Sequence, residues 1–124
     1  MKKIVSTPNF DNELKFYYRK RKYRKIKEDL APIFKNLENG NFVGNRLKDL
    51  NLPEGTAVYK VRVANSSANV GKSDGFRLLY YVAIGDEIYL LTIYSKKDDV
   101  KILNDKQIEL LVRNIMADII ETSN

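Results

Sequence analysis

The chain has 124 residues, of which 44% are hydrophobic and 31% charged, and its formal net charge is +6. This length and composition predict one globular domain, residues 1–124, large enough to bury a core without disulfides. The sequence contains neither cysteine nor histidine, which excludes thiolate chemistry, imidazole catalysis and the usual zinc sites. We therefore expect no metal and no cofactor.

The distribution of apolar residues predicts a cytoplasmic protein. No apolar run approaches the ~20 residues that a membrane span needs. The N-terminus is basic but lacks the apolar core of a signal peptide. We expect no membrane partner, and the positive charge favours a polyanion instead, either nucleic acid or an acidic protein.

The first third of the chain predicts a short strand and a helical hairpin. Ile4 and Val5 form the strand, and Asn9 is the expected N-cap of an amphipathic helix. A second amphipathic helix starts near Ile26 and ends near Asn39 and Gly40. Between the two helices lies the densest positive stretch of the chain. We call it the basic run: Arg19, Lys20, Arg21, Lys22, Arg24 and Lys25.

The rest of the chain predicts a loop, three strands and a last helix. Residues 41–55 form the loop, residues 57–63 alternate as a strand does, and two further strands flank a turn at Gly85 and Asp86. Asn104 and Gln107 have the spacing of a capping box before an amphipathic C-terminal helix. The predicted fold is α+β: a small, mostly antiparallel sheet on which the helical hairpin and the C-terminal helix pack.

Five cations form the candidate site. Lys60 and Arg62 share one face of their strand, and Arg77 begins the first strand of the hairpin. Lys96 and Lys97 follow the second strand, which places them at the same end of the sheet as Arg77. Cations on a sheet face are unfavourable unless that face is wet or paired with acids.

Two interpretations of these cations are open. Asp86, Glu87, Asp98 or Asp99 could neutralise them, but these acids lie at turns and are fewer than the cations nearby. We favour a wet, cationic sheet face that binds a polyanion.

Further residues are candidates for RNA contacts. The basic run is either a nucleic-acid surface or the solvated end of a helical hairpin. Lys72 lies in the loop before the hairpin. Tyr81, in phase with Arg77, and Tyr94 are the tyrosines placed to stack on a base.

Three stretches of the chain resemble the RelE/ParE superfamily of type II toxins, and most of all its RelE/HigB-like branch. They are Tyr-Lys-Val-Arg-Val at 59–63, Gly-Lys-Ser-Asp-Gly-Phe-Arg-Leu-Leu-Tyr-Tyr-Val at 71–82, and Leu-Thr-Ile-Tyr-Ser-Lys-Lys at 91–97. The resemblance implies a microbial RNase toxin fold. It also implies a ribosome-dependent endoribonuclease that cuts mRNA in the A site and is silenced by a cognate antitoxin.

The resemblance also assigns roles to residues. Lys60 and Arg62 occupy the two basic positions of the family's central strand, and Arg77 is the arginine after a Gly–aromatic pair. Lys96 or Lys97 matches the basic residue after the last strand. The chain departs from the pattern at residues 102–103, which lie where some relatives have a catalytic tyrosine. This departure and the missing histidines leave the general base open.

The mechanism expected for such a site uses the 2′-hydroxyl of RNA as nucleophile. Arg62 and Arg77 would stabilise charge on the phosphate, Lys60 would act as the base, and Lys96 or Lys97 would protonate the leaving oxygen. Two alternatives are a ParE-like toxin that inhibits DNA gyrase by protein contact and an inactive relative that only binds its antitoxin. The convergent cations favour the ribonuclease.

The expected antitoxin is an acidic segment with apolar anchors. It would act either by pairing with the catalytic cations or by covering the basic helical hairpin and so excluding the ribosome, and we favour the second.

Overall fold

The computed structural model describes residues 1–123, without the side chains of residues 121–123. Over these residues the fold is α+β, as predicted. No helix in this part of the chain is long and apolar enough to cross a membrane. In chain order the elements are β1 (Lys3–Ser6), α1 (Pro8–Arg19), α2 (Ile26–Glu38), β2 (Asn45–Arg46), β3 (Ala57–Val63), β4 (Phe76–Val82), β5 (Glu87–Ser95) and α3 (Asp105–Ser123), with short 3₁₀ turns at Ser66–Ala68 and Asp99–Lys101.

The strands form one sheet in the order β1-β5-β4-β3-β2. β1 runs parallel to β5, and the other three pairs are antiparallel, which confirms a mostly antiparallel sheet. β2 lies within the segment predicted to be a loop. Its two residues pair with Lys60 and Tyr59 of β3, and so short a strand leaves no periodicity in the sequence.

Helices cover both faces of the sheet, which explains why β4 and β5 are apolar on both sides. On one face α1 and α2 bury Phe10, Tyr17 and Leu30 against β3, β4 and β5. On the other face α3 packs Ile108 and Val112 against the sheet. The two predicted N-terminal helices thus lie on one face of the sheet, and the C-terminal helix packs on the other.

The helix starts follow capping chemistry. The N-cap of α1 is Thr7 and not Asn9 as predicted, since the Thr7 hydroxyl accepts from the backbone N–H of Phe10 at 3.3 Å. Pro8 suits the first helical turn, where its missing N–H is not needed. The Asn9 amide instead donates to the Leu91 carbonyl at 2.9 Å. The capping box of α3 is confirmed by reciprocal bonds between Asn104 and Gln107 of 2.8 and 2.9 Å.

Candidate functional site

One face of the sheet carries three cations near the end of β3 and the start of β4. We call Lys60, Arg62 and Arg77 the cationic row. Arg62 lies directly opposite Arg77, and Arg77 lies opposite Tyr94 of β5. Lys60 is two residues before Arg62 and therefore shares its face. Like charges directly opposite each other weaken an antiparallel pair. The placement of Arg62 opposite Arg77 therefore does not stabilise the sheet.

This end of the sheet face is open to solvent. Val58, Leu79 and Tyr81 are buried under α3, whereas Arg62 is exposed and Lys60 and Arg77 are half-buried. The prediction of a wet, cationic face is correct for this end alone, because α3 keeps the remainder of the face dry.

The predicted acidic partners do not neutralise the row. Within residues 1–123, the side chains of Lys60 and Arg62 form no hydrogen bond or ion pair. Asp86 lies 4.0 Å from the Lys2 ammonium, and Asp98 pairs with Arg21 at 2.8 Å. The positive charge of the row is left available to an anion.

Arg77 also holds the loop that precedes β4. Its guanidinium donates to the backbone carbonyls of Lys72 at 3.2 Å, Ser73 at 3.0 Å and Phe76 at 3.2 Å. A guanidinium has five N–H donors in a fixed fork, so two remain for another acceptor. Arg77 is thus placed to shape the loop and to contact an anion.

Gly75 brings three chain segments together beside this row. A Cβ at this position would overlap the Val63 carbonyl oxygen and lie 2.9 Å from the Asn65 backbone nitrogen. The Gly75 carbonyl accepts from the Lys96 backbone N–H at 2.9 Å. The absence of a side chain at residue 75 therefore sets the spacing between β3, the start of β4 and the end of β5.

Lys96 and Lys97 lie at the predicted end of the sheet, immediately after β5. Lys96 is 3.4 Å from the Asp74 carboxylate, and both side chains are more than half exposed. Such exposed pairs contribute little to stability, so Lys96 is readily released to another anion. Lys97 is exposed.

The two tyrosines proposed for base stacking are not available. Tyr81 is 0% exposed, and its hydroxyl lies 3.8 Å from the Met116 sulfur. Tyr94 is 4% exposed, and burial raises the pKa of its hydroxyl although Arg77 opposes the shift. Stacking requires an open ring face, so the assignment of Tyr81 and Tyr94 to base stacking is wrong. Periodicity placed the Tyr81 ring on the face of Arg77, but α3 covers the part of that face where both rings lie.

The basic run contains structural as well as free cations. Arg21 is ion-paired with Asp98, and the Arg24 guanidinium lies 4.7 Å from the centre of the Tyr18 ring. The other four side chains are exposed and form no hydrogen bond, ion pair or cation–π contact with the described part of the chain. They are Arg19, Lys20, Lys22 and Lys25, and Lys72 is exposed in the same way.

A buried network attaches the basic run to the end of β5. Tyr17 is 0% exposed, and its hydroxyl donates to Asp98 at 2.7 Å while accepting from the Ser95 backbone N–H at 2.7 Å. Burial raises the pKa of Tyr17. Burial would also raise the pKa of Asp98, but hydrogen bonds from Tyr17 and Arg21 outweigh it and lower that pKa. The network thus holds Arg21 beside the segment that carries Lys96 and Lys97.

We expect Asp98→Asn to lower the free energy of unfolding at neutral pH by about 1–3 kcal/mol, because buried donors lose a charged acceptor. The folded pKa lies below the ordinary value of 3.8. The stabilisation is therefore complete above that value and is lost as the pH falls through the folded pKa. Urea unfolding between about pH 2 and pH 7 measures this, with the exposed Asp99→Asn as control. An unchanged acid transition in Asp98→Asn would contradict the assignment.

Two positioning residues of the site were missed by sequence reasoning. Asp98 was considered only as a neutralising acid, and its contact with Tyr17 joins residues 81 positions apart, which no local pattern reveals. Gly75 has a weak signal, since a glycine next to a strand often marks a close backbone approach.

No protein-family model matches the chain, and no curated protein shows significant similarity to it. The assignment to a class of protein therefore depends on the residues and the geometry described above.

Proposed function

We propose that the protein is a ribosome-dependent mRNA endoribonuclease with a RelE-like fold, the toxin of a type II toxin–antitoxin system acting in the cytoplasm. The observation that supports this most is the juxtaposition of Arg62 and Arg77 at the open end of the sheet, without a neutralising carboxylate. Two arginines on neighbouring strands suit the bidentate binding of a phosphate.

The proposed reaction is transfer of the phosphate to the adjacent 2′-hydroxyl. Lys60 accepts the proton of that hydroxyl, the oxygen attacks phosphorus, and Lys96 or Lys97 protonates the departing 5′-oxygen. Arg62 and Arg77 stabilise the extra negative charge. The products are a 2′,3′-cyclic phosphate and a 5′-hydroxyl end.

Much of the rate enhancement must come from holding the RNA in line for attack. The chain has no histidine, and the carboxylates of Asp74 and Asp98 are both ion-paired. A site with few acid–base groups depends on positioning, which explains the proposed requirement for the ribosome.

Addition of the protein to a translation extract tests this function. We expect translation to stop, with mRNA cut at ribosome-bound codons and cyclic-phosphate and 5′-hydroxyl ends at the cut. Intact mRNA together with inhibition of DNA gyrase would overturn the proposal in favour of a ParE-like toxin. Intact mRNA and active gyrase would point to a relative that only binds an antitoxin.

The exposed part of the basic run is proposed to contact ribosomal RNA. We expect the triple variant Arg19→Gln, Lys20→Gln, Lys22→Gln to bind ribosomes more weakly. Its affinity should depend less on salt, with the slope reduced by about 0.7–0.9 for each phosphate that the variant no longer neutralises. Co-sedimentation with ribosomes across a salt series measures this.

The matched control removes one arginine and two lysines elsewhere: Lys48→Gln, Lys106→Gln, Arg113→Gln. All three residues are exposed. Arg21 is retained in every variant because it is ion-paired with Asp98. Equal salt slopes for the two triple variants would make the basic run a solvated helix end.

The proposed antitoxin is an acidic segment that covers the helical hairpin and so excludes the ribosome. The same triple variant of the basic run distinguishes this from direct blocking of the site. Occlusion predicts that the antitoxin binds the variant more weakly. Unchanged affinity there, with affinity abolished in Arg62→Ala, would instead show direct blocking.

A further inference from the structure

A cavity of about 390 Å³ lies between the 3₁₀ turn at Ser66–Ala68 and the end of β5. This volume is within the range of small-molecule sites. One part of its wall is apolar, from Ala68 and Val70, and the remainder is polar. The cavity is at the same end of the sheet as the cationic row, since Ser95 in its wall directly follows Tyr94, the partner of Arg77.

Asn65 offers a hydrogen-bond donor to this cavity. The residue is 3% exposed, and its Oδ1 accepts from the Ala68 backbone N–H at 3.2 Å, which fixes which amide atom is the nitrogen. Nδ2 has no partner in the described part of the chain. No fully enclosed side-chain nitrogen or oxygen there lacks a partner, so Nδ2 keeps access to solvent, and Asn65 lines the cavity.

Ser95 provides a second polar atom by the same reasoning. It is 2% exposed, its backbone N–H donates to the Tyr17 hydroxyl, and its own Oγ has no hydrogen-bond partner within residues 1–123. Neither Oγ nor the Asn65 Nδ2 is fully enclosed, so each can bond to water or to a ligand. The wall of the cavity therefore offers two polar atoms to a ligand.

The rim of the cavity carries both signs of charge. Lys96 and Lys97 provide ammonium groups and Asp74 provides a carboxylate. A ligand that suits this set has an anionic group, an acceptor for the Asn65 amide and donors for Asp74. Its flat apolar part would lie against Ala68 and Val70.

We propose that this cavity binds a guanine nucleotide of the RNA. Guanine presents the O6 acceptor to Asn65 and its N1–H and N2–H donors to Asp74, two adjacent donors that adenine, cytosine and uracil lack. The phosphate pairs with Lys97. That the nucleotide belongs to mRNA rests on the proposed function, but binding of the free nucleotide does not.

Calorimetric titration with the four ribonucleoside 5′-monophosphates tests the proposal. We expect guanosine monophosphate to bind about tenfold or more tightly than the other three, which is the discrimination typical of one good bidentate contact to a base. Equal affinities for all four would show that only the phosphate is bound, and would overturn the proposal. A preference for another base, or no binding, would overturn it as well.

Two variants locate the contact. Asn65→Asp keeps an oxygen for the Ala68 N–H but replaces the free donor with an acceptor, and Asp74→Asn exchanges the carboxylate on the exposed rim for an amide. Both should lose the preference for guanine. Asn69→Asp is the control, since it adds the same charge to an exposed position of the same loop. If the variants keep the preference, the cavity is not where guanine binds.

The outcome separates the two proposals. Guanine binding by a protein that cuts no mRNA would keep the cavity site and overturn the ribonuclease. Cleavage of mRNA by a protein without guanine preference would do the reverse.

Discussion

The Lys60→Ala/Arg62→Ala variant is expected to lose mRNA cleavage and growth inhibition while it remains folded. Neither side chain forms a hydrogen bond or ion pair with another residue of the described chain. We therefore expect the free energy of unfolding to change little. Removing Arg62 also relieves the repulsion from Arg77 opposite it. The cleavage rate should fall by about 10²–10³-fold for the loss of one charge-stabilising donor, and further for the loss of the base.

The matched control is Lys106→Ala/Arg113→Ala, which removes one lysine and one arginine from exposed positions of α3. Cleavage is measured by primer extension on ribosome-bound mRNA, and folding by urea unfolding. A folded Lys60→Ala/Arg62→Ala protein that cleaves mRNA as the parent does would exclude the cationic row as the active site.

The second large effect is expected for Gly75→Ala. The added methyl group would meet the Val63 carbonyl and the Asn65 backbone nitrogen, neither of which can rotate away. Overpacking of this kind costs about 1–3 kcal/mol. The strands must move apart to accommodate it. That movement displaces Arg77, two residues on, and the Lys96 backbone bonded to residue 75, so cleavage should fall by more than the loss of folded protein explains.

Gly71→Ala provides the comparison within the same loop. A Cβ there meets nothing within 4 Å, and we expect unchanged stability and cleavage. Unfolding free energies and cleavage rates of both variants, measured side by side, decide the matter. If Gly75→Ala matched Gly71→Ala in both quantities, the close approach at residue 75 would not position the site.

Much of the fold was predictable because it depends on neighbours along the chain. The alternation of residues 57–63 placed Lys60 and Arg62 on one face, and the two further strands were predicted on either side of a turn at Gly85 and Asp86. The capping box at Asn104 marked the start of α3. The two-residue strand β2 was not predicted, because it forms only by pairing with β3, which is distant in the chain. The Thr7 cap was not predicted, because Asn9 is also a typical N-cap residue.

The candidate site was predictable in its charges but not in its surroundings. Arg62 and Arg77 were recognised as cations on the same sheet face. Their direct opposition depends on strand register, which only pairing sets. Tyr81 and Tyr94 cannot stack on a base because α3 covers them. The position of α3 cannot be predicted from the periodicity of β4 or β5.

The sequence by itself determined the class of fold, the phase of β3 and the excess of positive charge at one end of the sheet. These properties follow from residue type and spacing within a few residues of each other. Only the tertiary structure decided which part of the cationic face stays open and which cations are already paired. It alone produced the cavity beside Asn65. Each of these depends on contacts between distant segments, such as Arg21 with Asp98 across 77 positions, which form when the helices pack on the sheet.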